Sequence, residues 1–469
     1  MNKIPILCML CCMAVPAGAQ DSRRALSQLN SASGHAAVAE PYAASVSSSS
    51  RFIRQPDDST LPDHYNGGNL EPPAKPQFDA GSAIMLQGFH WYADSYWYHP
   101  AGGWWGELAG RAEEIGRMGF DLIWFPPAAV GSYYPSEWYN LNGQWGERER
   151  LEQAIQAMHS SGVKVLGDIV FNHRNGKTGW ADFRNPDWPT TVIVKDDEWQ
   201  GGPKSENYDQ GQGDGGCRDI DHTKAIVQQD AVKYLVWLRR LGYDGWRYDM
   251  VKGFPGHYVG QYNAASNPAF SVGEFYDTNR QALANWADST DSSAGKAAAS
   301  SVFDFTTRYN IVNAAESGQF DVLNDGGRPS GFVGWWPAKA VTFVENHDTS
   351  PRDPNFIANA PESYKTQRMM GYAYILTHPG VPCVFWPHLF DWGESCKNKI
   401  LKLVGIRKEA GITATSPVEI IKAEKNLYAA VITGRKRKIA LKLGSSWDWS
   451  PGPGWTAVES GENYAIWAR

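Results

Sequence analysis

Long basic runs are missing from this 469-residue chain, which argues against nucleic acid as a partner. The longest, GRKRK at 434–438, stands beside alternating apolar residues and reads as an edge strand or turn. Charge is modest throughout, at 20% of residues with a net of −6, as in an ordinary soluble protein. Past the first twenty residues no apolar stretch reaches membrane-spanning length. No glycine-rich phosphate loop follows the first strand candidate, which weighs against an open doubly wound sheet. Cysteine is scarce too: there are six, and Cys8, Cys11 and Cys12 fall in the first twenty residues. Of the rest, Cys383 and Cys396 are separated by a short loop and are the expected pair, leaving Cys217 over.

The N-terminus, MNKIPILCMLCCMAVPAGAQ, has Lys3, an apolar core from Ile4 to Val15, and Ala17-Gly18-Ala19. That pattern predicts a secretory signal peptide over 1–19, cleaved after Ala19, hence a secreted or periplasmic protein. Gln20 after the small residues argues against a lipid anchor. Residues 20–80 are rich in Ser, Ala, Pro and Asn and predict a disordered or loosely attached leader.

What the chain has in abundance is aromatic: 21 Trp and 21 Tyr. Such side chains fill cores, and they also stack on sugar rings. From about residue 82 the pattern becomes rhythmic. AIMLQGF, FDLIWFPP, VKVLGDIVF, YDGWRYDMV, FSVGEF, SVFDF, AVTFVENHD and VPCVFW alternate with helix-period segments such as WWGELAGRAEEIGRMG and TKAIVQQDAVKYLVWLRRLG. Eight strand candidates, mostly followed by helices, predict an α/β fold: a closed parallel (β/α)8 barrel over 81–174 and 219–405. Residues 175–218, rich in Gly, Asp and Asn, are too long for a plain loop and predict an inserted loop domain after the third strand. After about 406, VEIIKAEKNLYAAVITGRKRKIALKLG and ENYAIWAR predict a small antiparallel β domain over 406–469.

A parallel barrel carries its site at the carboxyl ends of its strands. There the sequence places Asp168, Asn172 and His173; Arg247, Asp249 and Lys252; Glu274; and Asn346, His347 and Asp348. Arg247 and Asp249 are two apart, so they share a strand face, with Trp246, Tyr248 and Met250 on the other. By themselves Arg247 and Asp249 read equally well as a buried ion pair. With Glu274 and Asp348 on neighbouring rims, they read as a catalytic set. A carboxylate beside a fixed Arg stays ionised, while Glu274, beside Phe275, is placed to hold a proton as general acid. Retaining glycosidases use two such carboxyls about 5–5.5 Å apart.

DIVFNH, GWRYDMVKG, VGEF and FVENHD, in this order, resemble the four short motifs of the α-amylase family of retaining glycosidases. IMLQGFHW, IWFPP, DIDH at 219–222, HPGVPCVF and FDWG extend the resemblance to plant-type and related bacterial members, over about 82–469. The resemblance implies a hydrolase cutting α-1,4 bonds of starch or glycogen with retention, acting on α-glucans as a monomer, without nucleic acid or membrane. It makes Asp249 the nucleophile, Glu274 the acid/base and Asp348 the third carboxylate. It gives His173 and His347 to sugar hydroxyls, Arg247 to Asp249, and Lys252 to the leaving-group side. It gives the stacking position to Tyr133, or to Tyr134 if the register slips by one. It also implies Ca²⁺ held by Asn172, Asp209, Asp219 and the backbone carbonyls of Gln212 and Gly253, with Asp214 nearby; the bland reading of that segment is a flexible acidic loop. An exo-acting maltooligosaccharide-forming enzyme shares these motifs, and a non-catalytic glucan-binding barrel is the reading from another class.

Overall fold

The computed structural model describes residues 71–94, 102–213, 216–291 and 299–469. The expected signal peptide at 1–19, the leader up to residue 70, and Asp214 lie outside these residues. Residues 71–79 carry no regular structure, and Arg239 and Arg240 donate to the carbonyls of Ala74 and Glu71.

Eight strands close into a barrel: β1 (Met85–Gln87), β2 (Leu122–Phe125), β3 (Lys164–Ile169), β4 (Gly245–Tyr248), β5 (Ser271–Gly273), β6 (Ser301–Phe303), β7 (Ala340–Phe343) and β8 (Val381–Phe385). Every pairing is parallel, and β8 closes on β1. They coincide with the eight apolar runs. Each strand is covered on both faces, which is why the runs are continuous instead of alternating; LIWF of β2 is buried at every position.

The surrounding helices are α1 (Gly103–Arg117), α2 (Arg148–Ser160), α3 (Ala225–Leu241), α4 (Gly256–Ser266), α5 (Arg280–Ser289), α6 (Phe305–Ser317), α7 (Glu362–Thr377) and α8 (Glu394–Ala410). In α1 the buried residues Trp104, Leu108, Ala112 and Ile115 recur at helical spacing and form the stripe that faces the barrel. Asp304 starts α6 by accepting from Thr307 N at 2.8 Å, and Gly318 ends it with φ +71°, a backbone that disfavours any side chain.

The chain leaves β3 into the inserted segment, whose two ends zip together: His173–Arg174 pairs antiparallel with Arg218–Asp219. Arg174 is buried there against the rings of Trp138, Phe183 and Trp188. It donates to the carbonyls of Pro186 (2.9 Å), Ser136 (3.0 Å) and Arg184. Backbone acceptors stand in for water around a charge that would otherwise be costly to bury.

The C-terminal sheet comprises β9 (Val418–Glu424), β10 (Leu427–Thr433), β11 (Lys438–Leu443), β12 (Thr456–Gly461) and β13 (Tyr464–Ala468), in the antiparallel order β9-β10-β11-β13-β12. GRKRK supplies the turn between β10 and β11 and, in Lys438, the first residue of β11. The sheet meets α7 through His378, which stacks on Tyr374 and bonds Tyr428 at 2.9 Å.

The expected Cys383–Cys396 disulfide is not formed; both cysteines are free. Cys383 belongs to the wall strand β8 within the main core, whereas Cys396, early in α8, packs in a separate small cluster with Ala360 and Trp392. A short connecting loop does not bring the two Cβ vectors together. Burial also pushes the Cys383 thiol far up, away from the reactive thiolate. Alkylation during unfolding without reductant is expected to label both cysteines; a peptide pair cross-linked through them would contradict the structure.

Candidate active site

Arg247, at the end of β4, is wholly buried and faces three carboxyl groups. Its Nη1 donates to Asp168 Oδ1 at 2.8 Å and to Asp249 Oδ1 at 2.7 Å. Its Nη2 lies 2.9 Å from Glu274 Oε1, but the N–H does not point at that oxygen, so this is a contact of charge and not a hydrogen bond. The guanidinium plane rests over the Trp124 ring, 4.7 Å from its centre. Strand periodicity explains the aim: Trp246 and Tyr248 turn outward, bonding Ser266 and Asn263 of α4, and Arg247 therefore turns in.

The carboxyls are served unequally. Asp168 also accepts from Trp124 Nε1 (2.9 Å) and from the Tyr133 hydroxyl (2.8 Å). Among the described residues Glu274 receives only the backbone N–H of Met250, at 3.1 Å. Burial raises both carboxyls, and Arg247 opposes it in both. Like charge from Asp249 adds to both, so Asp168 is raised to about 7, and Glu274, which also faces Asp348, lies well above the ordinary carboxylate range. Glu274 thus keeps its proton because it is buried and poorly supplied with donors, although its setting is more highly charged than the sequence suggests.

Of the two adjacent tyrosines, Tyr133 is the one turned into the site. It is buried against His347, with ring centres 5.2 Å apart and planes 14° from parallel, while Tyr134 is 44% exposed. His173 Nε2 meets the Tyr133 carbonyl at 2.8 Å. His347 sits between Gln87 Nε2 (3.1 Å) and Asp348 Oδ2 (3.1 Å). Asn346 Oδ1 accepts from the backbone of Asp348 and Thr349, a tight turn that presents Asp348 at the rim. Behind the turn, Glu345 is fully buried and is bonded by Arg368 Nε (2.8 Å), His388 Nε2 (3.1 Å) and the Tyr364 hydroxyl. Burial pushes the Glu345 carboxyl up, but these partners prevail and hold it at about 2. Lys252 stands apart at the mouth, paired with Asp277 at 3.1 Å and donating to the Tyr276 carbonyl.

The expected metal-binding residues also converge. A Cβ placed on Gly253 would lie 1.6 Å from Asn172 Oδ1 and 2.8 Å from the Gln212 carbonyl oxygen, so only glycine leaves room for them. A Cβ on Gly213 would lie 2.2 Å from Asp219 Oδ2 and 3.5 Å from Asp209 Oδ2. Asn172 Nδ2 is 3.5 Å from Asp219 Oδ1, which links the two groups. Burial raises the Asp209 carboxyl, backbone N–H donors lower it, and Asp196 and Asp197 add like charge. Among the described residues no three His, Cys, Asp or Glu side chains cluster as a metal site. Here the donors are amide, carbonyl and carboxylate oxygens, the set a hard cation takes.

Residues 90–388 match the family described as alpha amylase, catalytic domain, and residues 409–468 match the alpha-amylase C-terminal beta-sheet domain. The chain is 35% identical over 418 residues to probable alpha-amylase 2 of Arabidopsis thaliana, covering 83% of this chain and 94% of that protein. The chain belongs to the α-amylase family. It is therefore a glycoside hydrolase of that family. It is also 29% identical to a glucan 1,4-alpha-maltotetraohydrolase of Roseateles saccharophilus, over 80% of this chain and 70% of that one. The solved α-amylase of Geobacillus thermoleovorans, complexed with acarbose, shares the fold: TM-score 0.62 at 14% identity, over 84% of this chain and 99% of that one.

For this α-amylase-family site, strand-end reasoning found the rim but not all that supports it. Asp168 stood out as a strand-end carboxyl without a partner; its links to Trp124 and Tyr133 are tertiary. Gln87 carried a faint signal, a lone polar residue in the apolar run AIMLQGF. Arg352, which bonds Asp348 at 2.8 Å, carried none.

Proposed function

We propose that this member of the family is an exported endo-acting α-amylase, cutting internal α-1,4-glucosidic bonds of starch and glycogen with retention. The observation that supports it most is the shared guanidinium: Asp249 and Glu274, from adjacent strands, both meet Arg247. Two carboxyls on neighbouring nitrogens of one planar group are close together, as covalent retention requires. In this reading the Asp249 carboxylate attacks the anomeric carbon and forms the glycosyl-enzyme bond. Glu274 gives its proton to the departing glycosidic oxygen, then takes one from the water that releases the sugar. Asp348, His173 and His347 take hydroxyls of the sugar being cleaved, and Tyr133 stacks on it. Lys252 meets the leaving-group side. Export rests on the signal-like segment 1–19.

A second reading, exo-action releasing short maltooligosaccharides, is favoured by the likeness to the maltotetraohydrolase. The deciding substrate is maltoheptaose blocked at its non-reducing end and carrying a chromophore at the other. Internal cleavage is expected, falling by several orders of magnitude in Asp249→Asn; cleavage only of the unblocked sugar would give the exo reading. Because Glu274 is raised, it stays protonated to higher pH than an ordinary carboxyl. The basic limb of kcat/KM should therefore fall above the usual carboxylate range of about 4.3, and Glu274→Gln should abolish that limb. A basic limb at the ordinary value would contradict the assignment.

The resident metal in this reading is Ca²⁺, held by Asn172, Asp209, Asp219 and the carbonyls of Gln212 and Gly253. When bound, its charge neutralises the crowded carboxylates and ties the inserted segment to the barrel rim. A ligand at a hundredfold over its Kd stabilises by about 2.7 kcal/mol. Exhaustive chelation is expected to lower Tm in calorimetry, with little further loss in Asp209→Asn; an unchanged Tm would remove the metal from the reading.

A further inference from the structure

Arg352 lies at the mouth of the site in an arrangement that an ordinary surface ion pair does not need. Its Nη2 donates to Asp348 Oδ1 at 2.8 Å, four residues back along the same loop. Its guanidinium carbon also lies over the Trp91 ring, 4.8 Å from the centre, so a residue after β1 and one after β7 hold it in place together. Trp91 in turn packs on Tyr133 and His347, at 5.3 and 5.1 Å between ring centres. The side chain is nonetheless 54% exposed, and its other N–H groups meet no acceptor among the described residues. A flexible side chain has thus been given one orientation while most of its donors still face solvent.

We propose that Arg352 is a substrate-binding residue: its open N–H edge takes a vicinal hydroxyl pair of the glucose unit next to the one held at Asp348. This rests on the glucan-cleaving reading above and extends it. The chemistry fits in three respects. A guanidinium presents parallel donors in a plane, which suits two adjacent hydroxyls better than a single ammonium does. Contact with the Trp91 ring and with Asp348 holds the group in place before the sugar arrives, which lowers the ordering cost of binding. Asp348 accepts from one nitrogen and polarises the rest of the group toward the ligand. Arg352 would then help set how firmly the cleft grips a chain beyond the bond being cut, a property the three carboxyls do not determine.

The test is calorimetric binding of maltoheptaose to the full chain carrying Asp249→Asn, which prevents turnover, with and without a change at position 352. Arg352→Gln is expected to weaken Kd about tenfold, the effect of one hydrogen-bonding charged group. Arg352→Lys keeps a cation for Asp348 but lacks the fork, and is expected to remain several-fold weak. Both should unfold at the parent Tm, because the side chain is half exposed. An unchanged Kd in Arg352→Gln would reduce Arg352 to a loop ion pair. Full recovery in Arg352→Lys would mean that only the charge on Asp348 matters. Either result overturns the proposal and leaves the glucan reading standing. If the Asp249→Asn parent binds no maltoheptaose, the glucan reading fails, and the proposal fails with it.

Discussion

The site depends on one cation placed where no water can reach it. Arg247 is buried beneath the barrel mouth, and Asp168, Asp249 and Glu274 all turn toward it. Three ionised carboxylates around one guanidinium would leave two uncompensated charges in a medium of low dielectric, which is too costly to persist. The arrangement resolves itself through unequal donors. Glu274 has one backbone N–H among the described residues and takes a proton, whereas Asp168 has three donors that restrain a carboxyl which burial and the charge of Asp249 still raise to about 7. Burial, the like charge of Asp249 and Asp348, and a meagre supply of donors together keep the proton on Glu274.

A second buried charge supports the opposite rim. Glu345 sits one residue before the Asn346 turn and is clamped by Arg368 of α7 and by His388, just past β8. The loop bearing His347 and Asp348 is therefore held from two elements, and its carboxylate is presented by a tight turn. Such rigidity suits the role proposed for Asp348, meeting developing charge without reorganising. Gln87 and Tyr133 complete the hold on His347 from the β1 and β2 sides of the barrel.

The inserted segment belongs to the same architecture. His173, in the proposed sugar-binding set, is also half of the two-residue pairing that closes that segment. Its neighbour Asn172 points its amide oxygen toward Gly253, which follows Lys252 beyond β4. A proposed sugar contact and a metal-type oxygen thus lie on consecutive residues, so order in the inserted segment bears on both.

The order of apolar runs and helix periods determined the barrel, because strands covered on both faces must be apolar throughout, and eight such runs alternating with helices close only one way. The same logic placed Asp249, Glu274 and Asp348 on one rim, since charged residues at strand ends have nowhere else to point. What only the tertiary structure decided are relations between distant side chains. It took the barrel to set Asp168 under Trp124 and Tyr133, to bury Tyr133 while leaving Tyr134 exposed, and to keep Cys383 and Cys396 apart despite their short loop. It also brought Arg352 onto Trp91, although more than 250 residues of chain lie between them. Periodicity says which way a side chain faces along its own strand; which donor meets it there depends on packing between elements that are remote in the chain.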